Sequence, residues 1–470
     1  MDQRRRRTAV PATVGAALLL IAGCGGVQGQ PGGDRLHHPD PYFPRLGNGG
    51  YDVRHYSLTL AYDPDSGRLT GTADITARAT EGLSAFNLDF TGMTVRGATV
   101  DGRYASAHRA GTELTIRPHH DLVRGATFRT VVRYAGMPKK ITDPDASEEG
   151  WLPDDMDGAL ALGEPTGSMA WFPGNDHPSD KATYDIAVTV PAGLQAVSNG
   201  RLTSQRTSGG RTTFHWHTGR PMASYLAMLA VGHYKTHSFT APSGLPVFTA
   251  VAPSEVKSSA SVVARIPEII AWESKQFGPY PFDSAGAVIA PVGAAGYSLE
   301  TQTRPVLPGD QASLSTVVHE LSHQWFGDSV TPESWRDMWL NEGFATYATW
   351  LWDADHDGES IQDHFNDAYD SEGNWEFPPA DPPGPKEISA SPVYGRGAMV
   401  LQMIRRTVGD DAFFALVRGW VKDHRYSNAA TADFTRYAEK KTGKDLGAVW
   451  KDWLYGKGEG KEKPGNPYKS

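Results

Sequence analysis

Hydrophobic and polar positions alternate along the first half of the chain. Tyr56, Leu58, Leu60 and Tyr62 are spaced by polar or small residues, and so are Leu69, Ala73, Ile75 and Ala77. The same period of two returns at Phe86, Leu88 and Phe90, at Phe128, Val132 and Tyr134, and from Ala182 through Tyr184, Ile186 and Val188 to Val190. A period of two puts every second side chain on one face of a strand, so these runs predict half-buried β-strands. Turn-forming stretches such as Asp65-Ser66-Gly67 and Ser208-Gly209-Gly210 separate them. Residues 51–245 are therefore expected to form an all-β domain.

Near Val256 the period changes. Val262, Val263, Ile266, Ile269, Ile270 and Trp272 fit a helix from Val256 to Phe277, stopped by Gly278-Pro279-Tyr280-Pro281. Helical spacing returns around Val317-Val318, from Ala345 through Tyr347 to Trp350 and Leu351, and from Tyr394 onward in four segments: 399–405, 411–421, 431–441 and 449–454. The expected fold class is α+β and multidomain: the β-rich N-terminal domain, a mainly helical domain over 246–456, and a polar tail over 457–470 read as solvated.

Composition fits a globular chain of this kind, with 39% hydrophobic residues and 13 Trp among 470 residues. The N-terminus stands apart. Arg4 to Arg7 form a basic run, and Ala9 to Gly23 is apolar but too short to span a bilayer. The stretch ends Leu20-Ile21-Ala22-Gly23-Cys24, which resembles a bacterial lipobox. Residues 1–23 are thus expected to be a lipoprotein signal peptide, with Cys24 carrying lipid and holding the protein on the outer face of the bacterial cell membrane. The arginine run also permits twin-arginine export. Cys24 is the only cysteine, so the exported domain holds no disulfide. Residues 25–50 contain 12 Gly or Pro, and the reading for 24–50 is a flexible tether. Without residues 1–23 the net charge moves from −9 to −12, since four Arg and one Asp leave, and this argues against nucleic acid as a partner.

The chemistry begins at His319-Glu320-Leu321-Ser322-His323, a His-Glu-x-x-His pattern. On a helix, residues i and i+4 share a face, so His319 and His323 can offer two imidazoles to one zinc ion, with Glu320 placed as general base. With 16 His in the chain, an i,i+4 pair arises by chance about 0.5 times, but requiring Glu after the first His lowers this to about 0.02. A third ligand is needed, and Glu342, 18 residues beyond His323 in Trp339-Leu340-Asn341-Glu342-Gly343-Phe344-Ala345, is the leading candidate.

These segments together resemble the gluzincin aminopeptidases, the family of aminopeptidase N and leukotriene hydrolase. The resemblance covers about residues 51–456. It implies a saddle-like N-terminal β domain, a thermolysin-like catalytic domain, one zinc ion per chain, and peptides with a free N-terminus as substrates. Gly296-Tyr297-Ser298-Leu299-Glu300-Thr301 is similar to the family's Gly-x-Met-Glu-Asn motif, which implies that Glu300 holds the substrate's α-amine; Tyr297 stands where the family has Gly, and Thr301 where it has Asn. Glu164, which leads into Trp171-Phe172-Pro173-Gly174-Asn175-Asp176-His177-Pro178, matches a residue that helps bind the amine and first side chain. Tyr394, in Val393-Tyr394-Gly395-Arg396-Gly397-Ala398, matches the tyrosine that donates to the oxyanion, with Arg396 in place of a lysine. Larger relatives continue into a helical C-terminal domain. This chain stops soon after Trp450-Lys451-Asp452-Trp453-Leu454-Tyr455-Gly456, so a more open cleft is expected.

Two other readings differ in class. A thermolysin-like endopeptidase would make Glu300 irrelevant, and a surface lipoprotein that binds peptide without cleaving it would not need Glu320 or Tyr394. No residue points to an epoxide hydrolase activity.

Overall fold

The computed structural model describes residues 30–31, 39–154, 158–356, 358–457 and 463–469. The expected leader, with Arg4 to Arg7 and Cys24, lies outside the described residues. Among those described, no helix is long and apolar enough to cross a membrane.

The alternating runs become strands. β1 (Tyr51–Asp63), β2 (Arg68–Ala79), β3 (Thr127–Gly136), β4 (Lys181–Pro191) and β5 (Arg211–Ala223) are the long members of an eleven-stranded sheet. β1 pairs antiparallel with β2 and parallel with β4, while β3 and β5 extend the sheet on either side. One face is aromatic and dry: Tyr56 stacks on Tyr184 with ring centroids 4.8 Å apart, and Tyr134 donates its hydroxyl to the Trp171 carbonyl. A second sheet of five short strands includes Lys140–Thr142, Glu148–Pro153 and Ala159–Leu162. Its last-named strand leads directly into Glu164.

A third sheet contains β6 (Lys235–Thr240), β7 (Pro246–Val251), β8 (Ala285–Ala290) and β9 (Val306–Pro308), with β7, β8 and β9 parallel. The expected boundary at 245 falls in the turn of the β6–β7 hairpin, because alternation marks a strand without saying which sheet it joins. The helix expected from Val256 is broken. A short turn at Ala260–Val263 precedes α1 (Ile266–Phe277), because Pro267 has no N–H to continue the earlier turn and instead starts a new one. α2 (Leu314–Ser322), α3 (Trp339–Asp355), α4 (Gly397–Val408), α5 (Asp410–Asp423) and α6 (Thr431–Thr442) follow. A further helix at Ile361–Asp370, opened by a Ser360 capping box, has no counterpart among the expected segments.

In two stretches read as loose, the described residues 39–50 and 463–469 are docked. In the expected tether, Asp40 is 1% exposed, and its carboxylate accepts from the Tyr42 and Phe43 amides on one oxygen and from the Trp335 amide on the other. Asn48 is tied to Asp89 and Asn175. Gly and Pro here shape a path across the surface. In the expected polar tail, Tyr468 packs on Phe365, and its hydroxyl accepts from Gln402.

The two halves are joined by Arg304, which is fully buried. Its guanidinium donates to the carbonyls of Ser198 and Gly200 in the β half and of Phe248 in the other, and lies over the Trp216 ring.

Candidate active site

Ser313 caps α2 by accepting from the Thr316 amide, which fixes where the helix begins and so where its last turn points. That turn carries His319, and His323 closes it. The His323 Nδ1 lies 2.9 Å from the Phe326 carbonyl, a contact that requires N–H at Nδ1 and leaves the Nε2 lone pair free for a metal. Glu342, in the first turn of α3, places Oε2 3.0 Å from His319 Nε2 and 3.5 Å from His323 Nε2. The three ligand atoms lie within 4.8 Å of one another. Two imidazole nitrogens and one carboxylate oxygen converging on a point fit a catalytic zinc site with three protein ligands.

Glycine sets the distance between the metal helix and the oxyanion side. A Cβ on Gly343 would sit 2.9 Å from the Gly397 carbonyl carbon, so α3 and α4 touch backbone to backbone. This contact brings the π-helical turn Pro392–Arg396 against α2, where the Tyr394 ring stacks on His319 with centroids 6.0 Å apart. Arg396 points the other way. It is buried, donates to the carbonyls of Phe377, Asp452, Trp453 and Gly456, and lies over Trp375, so its role is to brace the turn rather than to bring charge to the site.

On the opposite wall, the Leu299 and Val306 amides and carbonyls exchange hydrogen bonds, holding Glu300 at the end of an antiparallel bridge. The Thr301 hydroxyl donates to the Arg304 carbonyl, closing the turn where the family carries Asn. Gln324, just after the pentad, donates to the Glu300 carbonyl. The Tyr297 hydroxyl donates to the Glu164 carbonyl at 3.3 Å, so the residue standing in the glycine position ties the Glu300 strand to the β domain. Carboxylate oxygens of Glu164, Glu300 and Glu342 also lie within 4.8 Å of one another.

Burial dominates the electrostatics. It pushes the carboxyls of Glu164 and Glu320 well above the usual range, and neighbouring carboxylates add to the effect. Glu164 and Glu300 lie side by side, and burial pushes both carboxyls above the usual range. Glu342 moves the other way, held at about 2: burial works against this, but His323 and His319 more than offset it. Burial likewise keeps the Tyr394 hydroxyl protonated and able to donate. The whole site opens into a cavity of about 560 Å³.

All seven residues picked from the sequence line this one cavity: Glu164, Glu300, His319, Glu320, His323, Glu342 and Tyr394. Sequence reasoning missed Asp143, Asp145 and Ser147, which line the same cavity from a turn with no motif of its own.

A His-Glu-x-x-His helix, a glutamate ligand on the next helix and a β domain closing one wall define the gluzincin class of metal centre. The sequence pattern of the Peptidase family M1 domain matches residues 304–453, and that of the Peptidase M1 N-terminal domain matches residues 159–226. The M1 zinc metallopeptidase of Deinococcus radiodurans, solved as a mutant bound to Tyr-Ser-Ala substrate, superposes with a TM-score of 0.83 at 31% identity, over 89% of this chain and 97% of its own. Aminopeptidase 2 of Candida albicans is 25% identical over 85% of this chain and 46% of its own length. Aminopeptidase M1-C of Oryza sativa subsp. japonica is 31% identical over 59% and 35%. The chain belongs to Peptidase family M1, and membership implies zinc. It spans about half or less of the length of the curated relatives it matches.

Proposed function

We propose that the protein is an aminopeptidase that holds one zinc ion per chain on His319, His323 and Glu342 and releases the N-terminal residue of peptides. When bound, the ion supplies Lewis acidity, making water acidic near neutral pH and polarising a carbonyl. Glu320 takes the proton of the attacking water and passes it to the leaving amine, a transfer worth about 10²–10⁴-fold. The Tyr394 hydroxyl donates to the carbonyl oxygen as negative charge develops there. Glu164 and Glu300 hold the substrate's ammonium, so only the first peptide bond reaches Glu320.

The observation that carries this reading is the Glu164–Glu300 pair. Two neighbouring carboxyls, Glu300 buried and Glu164 half-buried on the cavity wall, with Glu300 Oε1 lacking any donor from the protein, suit a cation delivered by the substrate. An endopeptidase site has no use for such a pair. A panel of aminoacyl arylamides, free and N-acetylated, with and without chelator, tests it. Free substrates are expected to turn over and acetylated ones not, with Glu300→Ala losing most of the activity. Equal cleavage of blocked and free substrates would sink the exopeptidase reading.

We further infer that the protein is exported and held at the membrane by lipid on Cys24. The basic run, the short apolar stretch and the lipobox-like end support this. Metabolic labelling with a radioactive fatty acid should mark the wild type, whereas Cys24→Ser should be unlabelled and no longer sediment with membranes.

A further inference from the structure

Beyond the amine pair, the cavity holds a second acidic site. The strands Lys140–Thr142 and Glu148–Pro153 pair antiparallel, and the turn between them places Asp143, Asp145 and Ser147 on the cavity wall. Asp143 is 7% exposed and Glu149, behind it, is fully buried. Thr166 donates its amide and hydroxyl to Glu149 Oε1, and its hydroxyl also lies 3.2 Å from Asp143 Oδ1. The other two oxygens, Asp143 Oδ2 and Glu149 Oε2, meet no donor from the protein. Burial pushes both carboxyls above the usual range, Asp143 to about 6, and each raises the cost of charging the other. No Lys or Arg lines the cavity among the described residues.

A purely structural pair would be better served by an amide. A glutamine at 149 would bring its own donor and avoid burying a second acid. Asp143, buried on the cavity wall with an oxygen to spare and a second carboxyl behind it, instead suits an incoming cation. The position narrows what that cation is. Asp143 and Tyr297 line the same cavity as Glu164 and Glu300. A substrate whose ammonium sits on Glu164 and Glu300 therefore presents its first side chain inside the cavity whose wall carries Asp143, and a long stem with a terminal charge suits that acid.

We infer that Asp143, backed by the buried Glu149 and with Asp145 at the rim, recognises a guanidinium or ammonium on the side chain of the substrate's first residue. This rests on the aminopeptidase reading above. It makes the protein selective for arginine and lysine at the N-terminus, with Asp143 a specificity residue.

Arginyl and citrullinyl arylamides test it, since citrulline keeps the shape and removes the charge. The wild type should favour arginine by about tenfold or more in kcat/KM, the scale of one charge-assisted hydrogen bond. Asp143→Asn should bring that ratio to within about twofold, and Asp143→Glu should restore most of it. Calorimetric binding of L-arginine amide and L-citrulline amide should follow the same order without turnover. A wild-type ratio near one overturns the inference, and so does an Asp143→Asn variant that weakens both substrates equally, as a structural role would. A preference that appears only when arginine or citrulline is the second residue, behind a leucine, also overturns it. If no arylamide is cleaved by the zinc-loaded protein, the aminopeptidase reading falls, and the binding ratio still decides the inference.

Discussion

Tyr394 shows how much chemistry depends on one hydroxyl kept in place. Its ring rests on His319, and burial keeps the proton on the oxygen, so it can only donate. Tyr394→Phe keeps the ring and removes the donor. It should lower kcat about 10²–10³-fold with little change in KM, measured on a free aminoacyl arylamide. Asp180 offers a test away from the site. Burial, aided by Asp52, pushes its carboxyl up to about 7, while Asn175 and the Val53 amide donate to it. A folded value above the unfolded one means that the fold binds the proton more tightly. The stability from this group is therefore full below about pH 4 and lost as pH rises through about 7. In thermal melts from pH 4 to 8, the wild type should lose more stability with rising pH than Asp180→Asn does.

Single elements carried most of what the sequence disclosed. Strands such as β1 and β4 were readable because burial on one face leaves a period of two. The α2 pentad was readable because metal chemistry demands fixed residue types at fixed spacing. What escaped was set by partners far away in the chain. Pro267 breaks one expected helix, Trp335 docks the stretch around Asp40 by donating to it, and Arg396 serves four carbonyls that no motif reveals. Asp143 belongs to the cavity only because a hairpin in the second sheet leans there. The contact of α3 with α4 belongs to the same class, and it is testable. Gly343→Ala puts a methyl carbon 2.9 Å from the Gly397 carbonyl carbon, closer than van der Waals contact allows. Overpacking of this kind costs about 1–3 kcal/mol. Because Glu342 precedes Gly343 and Tyr394 precedes Gly397, the variant should also bind zinc more weakly in a chelator competition, and lose activity beyond what its stability explains.

At the scale of the molecule, the active site is a seam. His319, His323, Glu342 and Tyr394 come from the helical half, whereas Glu164 comes from the β half and Glu300 from the loop that Arg304 fastens to both. Zinc bound at such a seam stabilises more than the site. A ligand present at a hundred times its Kd adds about 3 kcal/mol to the state that binds it. Removing zinc with a chelator should lower the melting midpoint, and adding zinc back should restore it. A midpoint indifferent to both would mean that the three ligand residues do not share an ion.

Four carboxyls, of Glu164, Glu300, Glu320 and Glu342, crowd one cavity. As a crowd they are also a standing source of mutual repulsion, which burial makes stronger. Metal and substrate ammonium both relieve it. A protein of this design is at ease only when supplied, so its lifetime among other proteases should track the zinc and peptide around it.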